Sequence, residues 1–480
     1  MEKFNTNPTA KSDRIPRLVE NLYRKMPEIE ADRAVLLTES YRKTEGEPTV
    51  MRRAKAFAHI LANIPITIRE EELVVGSSTL APRGCQTFPE YSWEWLEAEF
   101  DTIEKRSADP FYISEETKER LRKVHTYWKR KTNSELALSY MAPETVKAME
   151  HNVFTPGNYF YNGVGHVTVH YDKVLEKGLS GIIREAAEEL SRCQVGDADY
   201  ATKHCFLEAV IMSCAAVIGY AERYAALAKK EAESCADPAR RKELLQIADN
   251  CSRVPREGAK SFWEACQSFW FIQQLLQMEG SGHSISPGRF DQYMYPYYKK
   301  DLDAGKITRD QAQELIDCIW VKLNDLNKAR DAASAEGFAG YSLFQNLIVG
   351  GQDENGLDVT NDLSFMCIWA SHHVFLPQPS LSIRVWNLTP HELMIEAAKL
   401  TRTGIGLPAY YNDEVIIPSL MNRGLTLEDA RTAWSPRRQG KRTAGMTPRF
   451  SICAVRWSLC SPRERTGENR WEPLPCAWRT

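Results

Sequence analysis

The sequence lacks the features that would place it at a membrane, on a nucleic acid or around a metal. It has 12 cysteines but no C-x-x-C pair and no Cys/His spacing of the zinc-ligand kind. Most of these thiols fall inside apolar helical patterns and read as reduced and buried, so no metal site is expected. The opening residues, MEKFNTNPTAKSDRIPRLVE, are polar and hold no signal-peptide stretch. No apolar run reaches the roughly 18 residues that cross a bilayer. Charge of one sign is lacking as well: 61 basic against 64 acidic side chains leave −3, too little to recruit nucleic acid or membrane. P-loop, Rossmann glycine fingerprint and G-x-S-x-G elbow are all missing, as are internal repeats and low-complexity tracts. These absences point to a soluble, cytoplasmic globular protein with neither nucleic-acid nor membrane partner.

What is present suits a large core. Hydrophobic residues make up 43% and aromatics 10%, within a length that fits one large α/β body with a helical annex or about three average domains. Residues from about 15 to 65 read as two amphipathic helices, DRAVLLTESYRK and VMRRAKAFAHILANI. ELVVGSST reads as a short strand ending at Gly76. GHVTVHYDKVLEKGL begins with strand-like alternation. From Gly178 to about Asn250 the pattern is helical, with a breaker near Asp237-Pro238. SFWEACQSFWFIQQLLQMEG is apolar nearly all round, which predicts a buried helix capped at Gly280 and Gly282. After it, helix DQAQELIDCIWVKLNDLNKAR, strand QNLIVGG, helix DLSFMCIWASHHV, strand PSLSIRVW, helix PHELMIEAAKLTRTG and strand GLPAYYND alternate. That order predicts parallel β closed by helices, a barrel or half-barrel. The tandem His372-His373 reads as structural.

Three places combine glycine turns with polar side chains near strand ends. In Asn162-Gly163-Val164-Gly165-His166 the glycines let backbone pass close to a ligand before a lone His; a tight turn beside a core His reads equally from spacing. In Gly280-Ser281-Gly282-His283-Ser284-Ile285-Ser286-Pro287-Gly288-Arg289 a buried helix stops and presents neutral donors suited to a small polyol, or forms a polar turn with Arg289 paired to an acid. Tyr341, after Gly340, is a pocket donor or a packed aromatic.

Taken together, ADRAVLLTESYRKTEG, NIPITIREEELVVGS, NYFYNGVGHVTVHY, GHSISPGRFDQYMYPYY, QNLIVGGQ, LPQPSLSIRVWN and GLPAYYNDEVIIPSLMNRGLTLEDAR resemble the glycyl radical enzymes (pyruvate formate-lyase-like), and within them the B12-independent glycerol or diol dehydratases. The similarity runs over nearly all of residues 15–431. The resemblance implies an α/β fold: the first half of a ten-stranded β/α barrel, with a large helical N-terminal part and the second half absent. It implies no bound cofactor, but a backbone glycyl radical installed by an S-adenosylmethionine/iron–sulfur activating enzyme, a small polyol substrate, and a homodimer when intact. It places His166 near the leaving hydroxyl as the catalytic histidine, His283 and Ser284 on the diol, and Tyr341 in the pocket. Formate C-acetyltransferase (pyruvate formate-lyase), the competitor within the family, uses adjacent cysteines, and no Cys-Cys occurs here.

The resemblance stops at Arg431. The family's G-C-V-E motif, which supplies the hydrogen-abstracting Cys and a base Glu, is absent, as are W-H-D-A-A-F-F-N and the radical glycine loop. From Thr432 to Thr480 there are 10 Lys+Arg against 3 Glu and no Asp, with four Trp and five Pro over 49 residues, and no helical or alternating period. One reading is a basic tail for RNA or a membrane surface. The genetic code offers another. Read from each third base, Thr432-Ala433-Trp434-Ser435 permits C-V-E-P, its Glu arising from Trp434 when Ser435 is an AGY codon. Ala444 to Ile452 permits W-H-D-A-A-F-F-N, 12 codons after the hidden Cys. The expectation is therefore residues 1–431 as the N-terminal part of the domain, and 432–480 as an out-of-frame tail in which Cys453 replaces nothing.

Overall fold

The computed structural model describes residues 13–432 apart from 152, 155–160, 164 and 342. Residues 433–480, with Cys453 and all of the expected 432–480 tail but Thr432, lie outside the described residues. Helices α1 (Arg14–Tyr23), α2 (Asp32–Lys43) and α3 (Thr49–Asn63) open the chain, three where the periodicity suggested two. Strands β1 (Ile29–Glu30) and β2 (Cys85–Gln86) pair in parallel. Short helices follow: α4 (Glu94–Ala98), α5 (Glu115–Trp128), α6 (Asn133–Ser139) and α7 (Pro143–Glu150). Ser114 starts α5 by accepting the Thr117 N–H at 3.1 Å, and Thr132 closes a capping box with Glu135 at α6.

ELVVGSST is not a strand, and the reason lies far along the chain. Gln267 accepts the Val75 N–H at 2.9 Å and donates to its carbonyl at 2.7 Å. Trp263 and Trp270 donate to the carbonyls of Leu73 and Gly76, both at 2.9 Å. Side chains of one helix thus satisfy backbone groups that a neighbouring strand would otherwise take. That helix is α11 (Phe262–Glu279), in which every residue except Trp263 and Glu264 is buried, as its all-round apolar character predicts.

Between them lie β3 (Val167–Thr168), α8 (Tyr171–Ser191), α9 (Tyr200–Ser234) and α10 (Pro238–Arg253), with the expected break at Asp237-Pro238 and a further one at 192–199. α8 is kinked at Gly178, whose φ is +66° and where a Cβ would lie 2.3 Å from the Arg256 carbonyl. α9, contrary to expectation, is long and apolar enough to span a bilayer by length and composition. It packs against α3, α8 and α10 of the same chain.

The C-terminal region carries β4 (Ile285–Ser286), α12 (Phe290–Tyr293), α13 (Tyr295–Asp303), α14 (Arg309–Asp325), α15 (Ala332–Gly337), β5 (Asn346–Gly350), α16 (Asp362–Val374), β6 (Ser380–Val385), α17 (His391–Arg402), β7 (Ala409–Asn412), α18 (Asp413–Asn422) and α19 (Leu427–Arg431). β3 pairs with β4, and β5–β6–β7 form a second parallel set with Leu347 opposite Leu381 and Ile383 opposite Tyr410. A parallel bridge from Gly288 to Leu347 joins the two sets into one run of five. The strand–helix alternation is thus the α/β, all-parallel arrangement expected. β5 and β6 are buried hydrophobic strands between helices, whereas β7 is exposed along its length.

Candidate active site

The site begins where α11 ends. The last carbonyls of a helix lack intrahelical partners, and here buried cations supply them. Arg33 donates to the Met278 and Glu279 carbonyls at 2.7 and 3.0 Å, and Arg53 donates to that of Glu279 at 2.6 Å. Lys328 reaches past the helix to the carbonyls of Gly280 and Gly282 at 2.7 and 2.6 Å. α11 ends at Gly280 as expected, with extended backbone there, and these cations serve its last carbonyls. Glu90 pairs with Arg33 at 2.6 Å and with Arg53 at 3.2 Å. Burial pushes the Glu90 carboxyl up, but the two guanidinium groups outweigh it and hold it below the usual carboxylate range.

Held in this way, the loop from Gly280 meets the chain before β3. A Cβ at Gly165 would lie 1.4 Å from the His283 carbonyl oxygen, so only glycine allows the approach. His166 then donates its backbone N–H to His283 O at 2.9 Å, Val167 to Ser284 O at 3.1 Å, and Ser284 to Leu343 O at 2.7 Å. The Gly163 N–H donates to Ser281 Oγ at 2.6 Å. His166 and Ser284 both take left-handed backbone, φ +56° and +59°, at the strand starts. The imidazoles of His166 and His283 meet edge to face, centroids 4.9 Å apart, and His283 packs against Phe338 and Phe344. Burial, reinforced by His166, Arg330 and Lys328, lowers the His283 pKa to about 4. It is therefore a neutral imidazole at neutral pH, able to donate through one nitrogen and accept through the other.

His166, His283 and Ser284 are thus brought together at the starts of adjacent strands. Tyr341 stands with a different set of groups. Its hydroxyl donates to the Pro110 carbonyl at 2.9 Å, its N–H to Asp109 at 3.0 Å, and Arg83 covers its ring at 4.5 Å. Arg289 is not paired to an acid by hydrogen bonds: it donates to the carbonyls of Gly350 and Gln352 at 2.8 and 2.9 Å. Burial, with Arg384 nearby, lowers its pKa to about 10. His373 of the tandem pair contacts Asp317 at 2.8 Å. Among the described residues no three His, Cys, Asp or Glu side chains form a metal cluster. Six of the nine described cysteines are buried and all nine are free; burial pushes the Cys85 thiol up to about 12. Sequence reasoning missed Arg33, Arg53, Glu90 and Lys328, which have no local motif. The glycines around Val164 were the one signal of close backbone approach.

The site is therefore an edge-to-face pair of imidazoles, that of His283 uncharged, and a buried serine, set by parallel strand ends and cation-capped backbone. A sequence profile of the family described as pyruvate formate lyase-like matches residues 7–442, running past Arg431. A solved structure from work on 1,2-propanediol dehydration in Roseburia inulinivorans is 70% identical, with a TM-score of 0.87 over 89% of this chain and 54% of that one. The glycerol-bound B12-independent glycerol dehydratase from Clostridium butyricum is 56% identical, with a TM-score of 0.86 over 90% of this chain and 54% of that one. A probable dehydratase of Escherichia coli (strain K12), YbiW, is 34% identical over 84% of this chain and 50% of its own length. The chain spans about half the length of the relatives it matches. It belongs to the pyruvate formate lyase-like family of glycyl radical enzymes.

Proposed function

We propose that these residues form the substrate-binding part of a glycyl radical dehydratase for glycerol or 1,2-propanediol. The observation that carries this reading is the identity of 70% and 56% to structures associated with those two diols, against 34% to the Escherichia coli dehydratase. In it, His283 and Ser284 hold the diol hydroxyls, His166 delivers a proton to the departing hydroxyl, and Tyr341 completes a wall with its own hydroxyl committed to Pro110. The geometry supports a neutral ligand. The imidazole of His283 is uncharged, and of the two cations that act on it, Arg330 and Lys328, the second is spent on the carbonyls of Gly280 and Gly282. The five parallel strands fit the first half of a ten-stranded barrel.

The radical chemistry itself does not fit the residues present. No C-V-E motif occurs in the 480 residues. This chain alone is expected not to dehydrate diols even with an S-adenosylmethionine/iron–sulfur activating protein. Residues 432–480 are read as the out-of-frame continuation. Sequencing the locus across the codons for Asp429 to Pro436 tests it, and a third-base reading without C-V-E ends it. Binding is tested separately by saturation-transfer NMR. Glycerol and 1,2-propanediol should receive saturation from the wild-type chain and not from a His283→Ala/Ser284→Ala variant. Equal transfer from both proteins, or preference for an anionic alcohol such as isethionate, would refute the assignment.

A further inference from the structure

We infer that Lys328 is the positioning residue of this site: its ammonium ties the carbonyls of Gly280 and Gly282 to an anchored segment and so fixes the turn that presents His283 and Ser284. The consequence for diol binding rests on the reading above; the positioning itself does not.

The anchor is made by the two neighbours of Lys328. Asn327 donates to the Arg83 carbonyl at 2.6 Å, and the Ala329 N–H donates to Cys85 Sγ at 3.0 Å, so both neighbours of Lys328 are fastened to the β2 region. From that base its Nζ reaches two carbonyls that flank Ser281, and Ser281 in turn accepts the Gly163 N–H. One ammonium thereby holds both chains that make the site. Helix capping alone does not explain this. Arg33 and Arg53 already serve the Met278 and Glu279 carbonyls, whereas Lys328 reaches the residue before His283.

The arrangement is costly, which argues against accident. Lys328 is 5% exposed, and among the described residues no carboxylate lies within ion-pair distance of it. A buried ammonium held by two carbonyls and an aromatic face, without a carboxylate, is destabilised relative to water. Burial, with Arg330 and Arg33 close by and only Cys85 and Glu279 opposing, pushes its pKa well down. Its charge in turn acts on His283, alongside His166 and Arg330.

The test uses the 480-residue chain without diol. In Lys328→Met, amide exchange at His166 and Val167, whose N–H groups donate to His283 and Ser284, should accelerate by about tenfold or more, while amides within α11 stay protected. The His283 imidazole, followed by NMR, should titrate closer to the ordinary value of about 6.5. Lys328→Arg, which keeps the cation, should leave His283 titrating near its wild-type pH. If Lys328→Met loses its near-UV circular dichroism, Lys328→Gln is read in the same way. Unchanged exchange and unchanged His283 titration in the Met or Gln variant would overturn the inference. Because no diol is present, that failure is distinct from failure of the binding assignment, which the glycerol experiment on wild-type chain reads alone.

Discussion

Gly165→Ala is the sharpest single perturbation of the site's architecture. The added Cβ would lie 1.4 Å from the His283 carbonyl oxygen. Carbon and oxygen approach no closer than about 3.3 Å without strain, so the two segments must part by about 2 Å. Parting breaks the bonds from His166 to His283 and from Val167 to Ser284, now 2.9 and 3.1 Å. Each is worth about 1 kcal/mol net, and more where a buried group is left unpaired, so the loss is about 2–5 kcal/mol. Urea denaturation with tryptophan fluorescence gives the stability, and amide exchange at His166 and Val167 locates the change. Gly196→Ala is the control, because a Cβ there meets nothing within 4 Å. If Gly165→Ala matched that control within about 0.5 kcal/mol and kept both amides protected, the close approach would not exist in solution.

Other perturbations probe the frame. His283 is neutral when folded and takes a proton when unfolded, its pKa falling from 6.5 to about 4 on folding. The unfolded chain therefore binds more protons between those values, and stability should decline as pH falls from about 6.5 to about 4. His283→Gln should remove that component of urea midpoint against pH; an unchanged profile would contradict it. Arg384 holds the fully buried Asp413 through two bonds at 2.7 and 2.8 Å. Arg384→Met should cost about 3–5 kcal/mol by stranding a buried carboxylate, seen as a lower thermal midpoint. Gln267→Leu removes both partners of Val75 and should cost about 2–5 kcal/mol by urea denaturation, whereas a cost below about 0.5 would mean Val75 finds other partners.

The elements whose burial is decided by their own side chains were legible in the sequence. The all-round apolar α11, the α16 helix and the β5–β6–β7 alternation follow from local pattern. ELVVGSST was not legible, because its backbone is satisfied by Gln267, Trp263 and Trp270, nearly 200 residues away, and a strand-like composition cannot reveal that its partner is a helix. The roles of His166 and His283 came from resemblance alone, since spacing left each segment open between a ligand site and a turn, and their ring contact has no signal in the sequence. The cations that hold their loop, Arg33, Arg53 and Lys328, sit singly in three separate segments and share no period. Tyr341 shows the limit of transferring a role by motif: the resemblance implies a place in the pocket, whereas its hydroxyl is committed to Pro110 and its N–H to Asp109.

The most direct measurement is the imidazole NMR spectrum of the wild-type chain as glycerol is added. The account predicts that the His166 and His283 resonances shift together and saturate, while His373, bound to Asp317, stays still. Glycerol that moved neither ring, or moved all three alike, would contradict it.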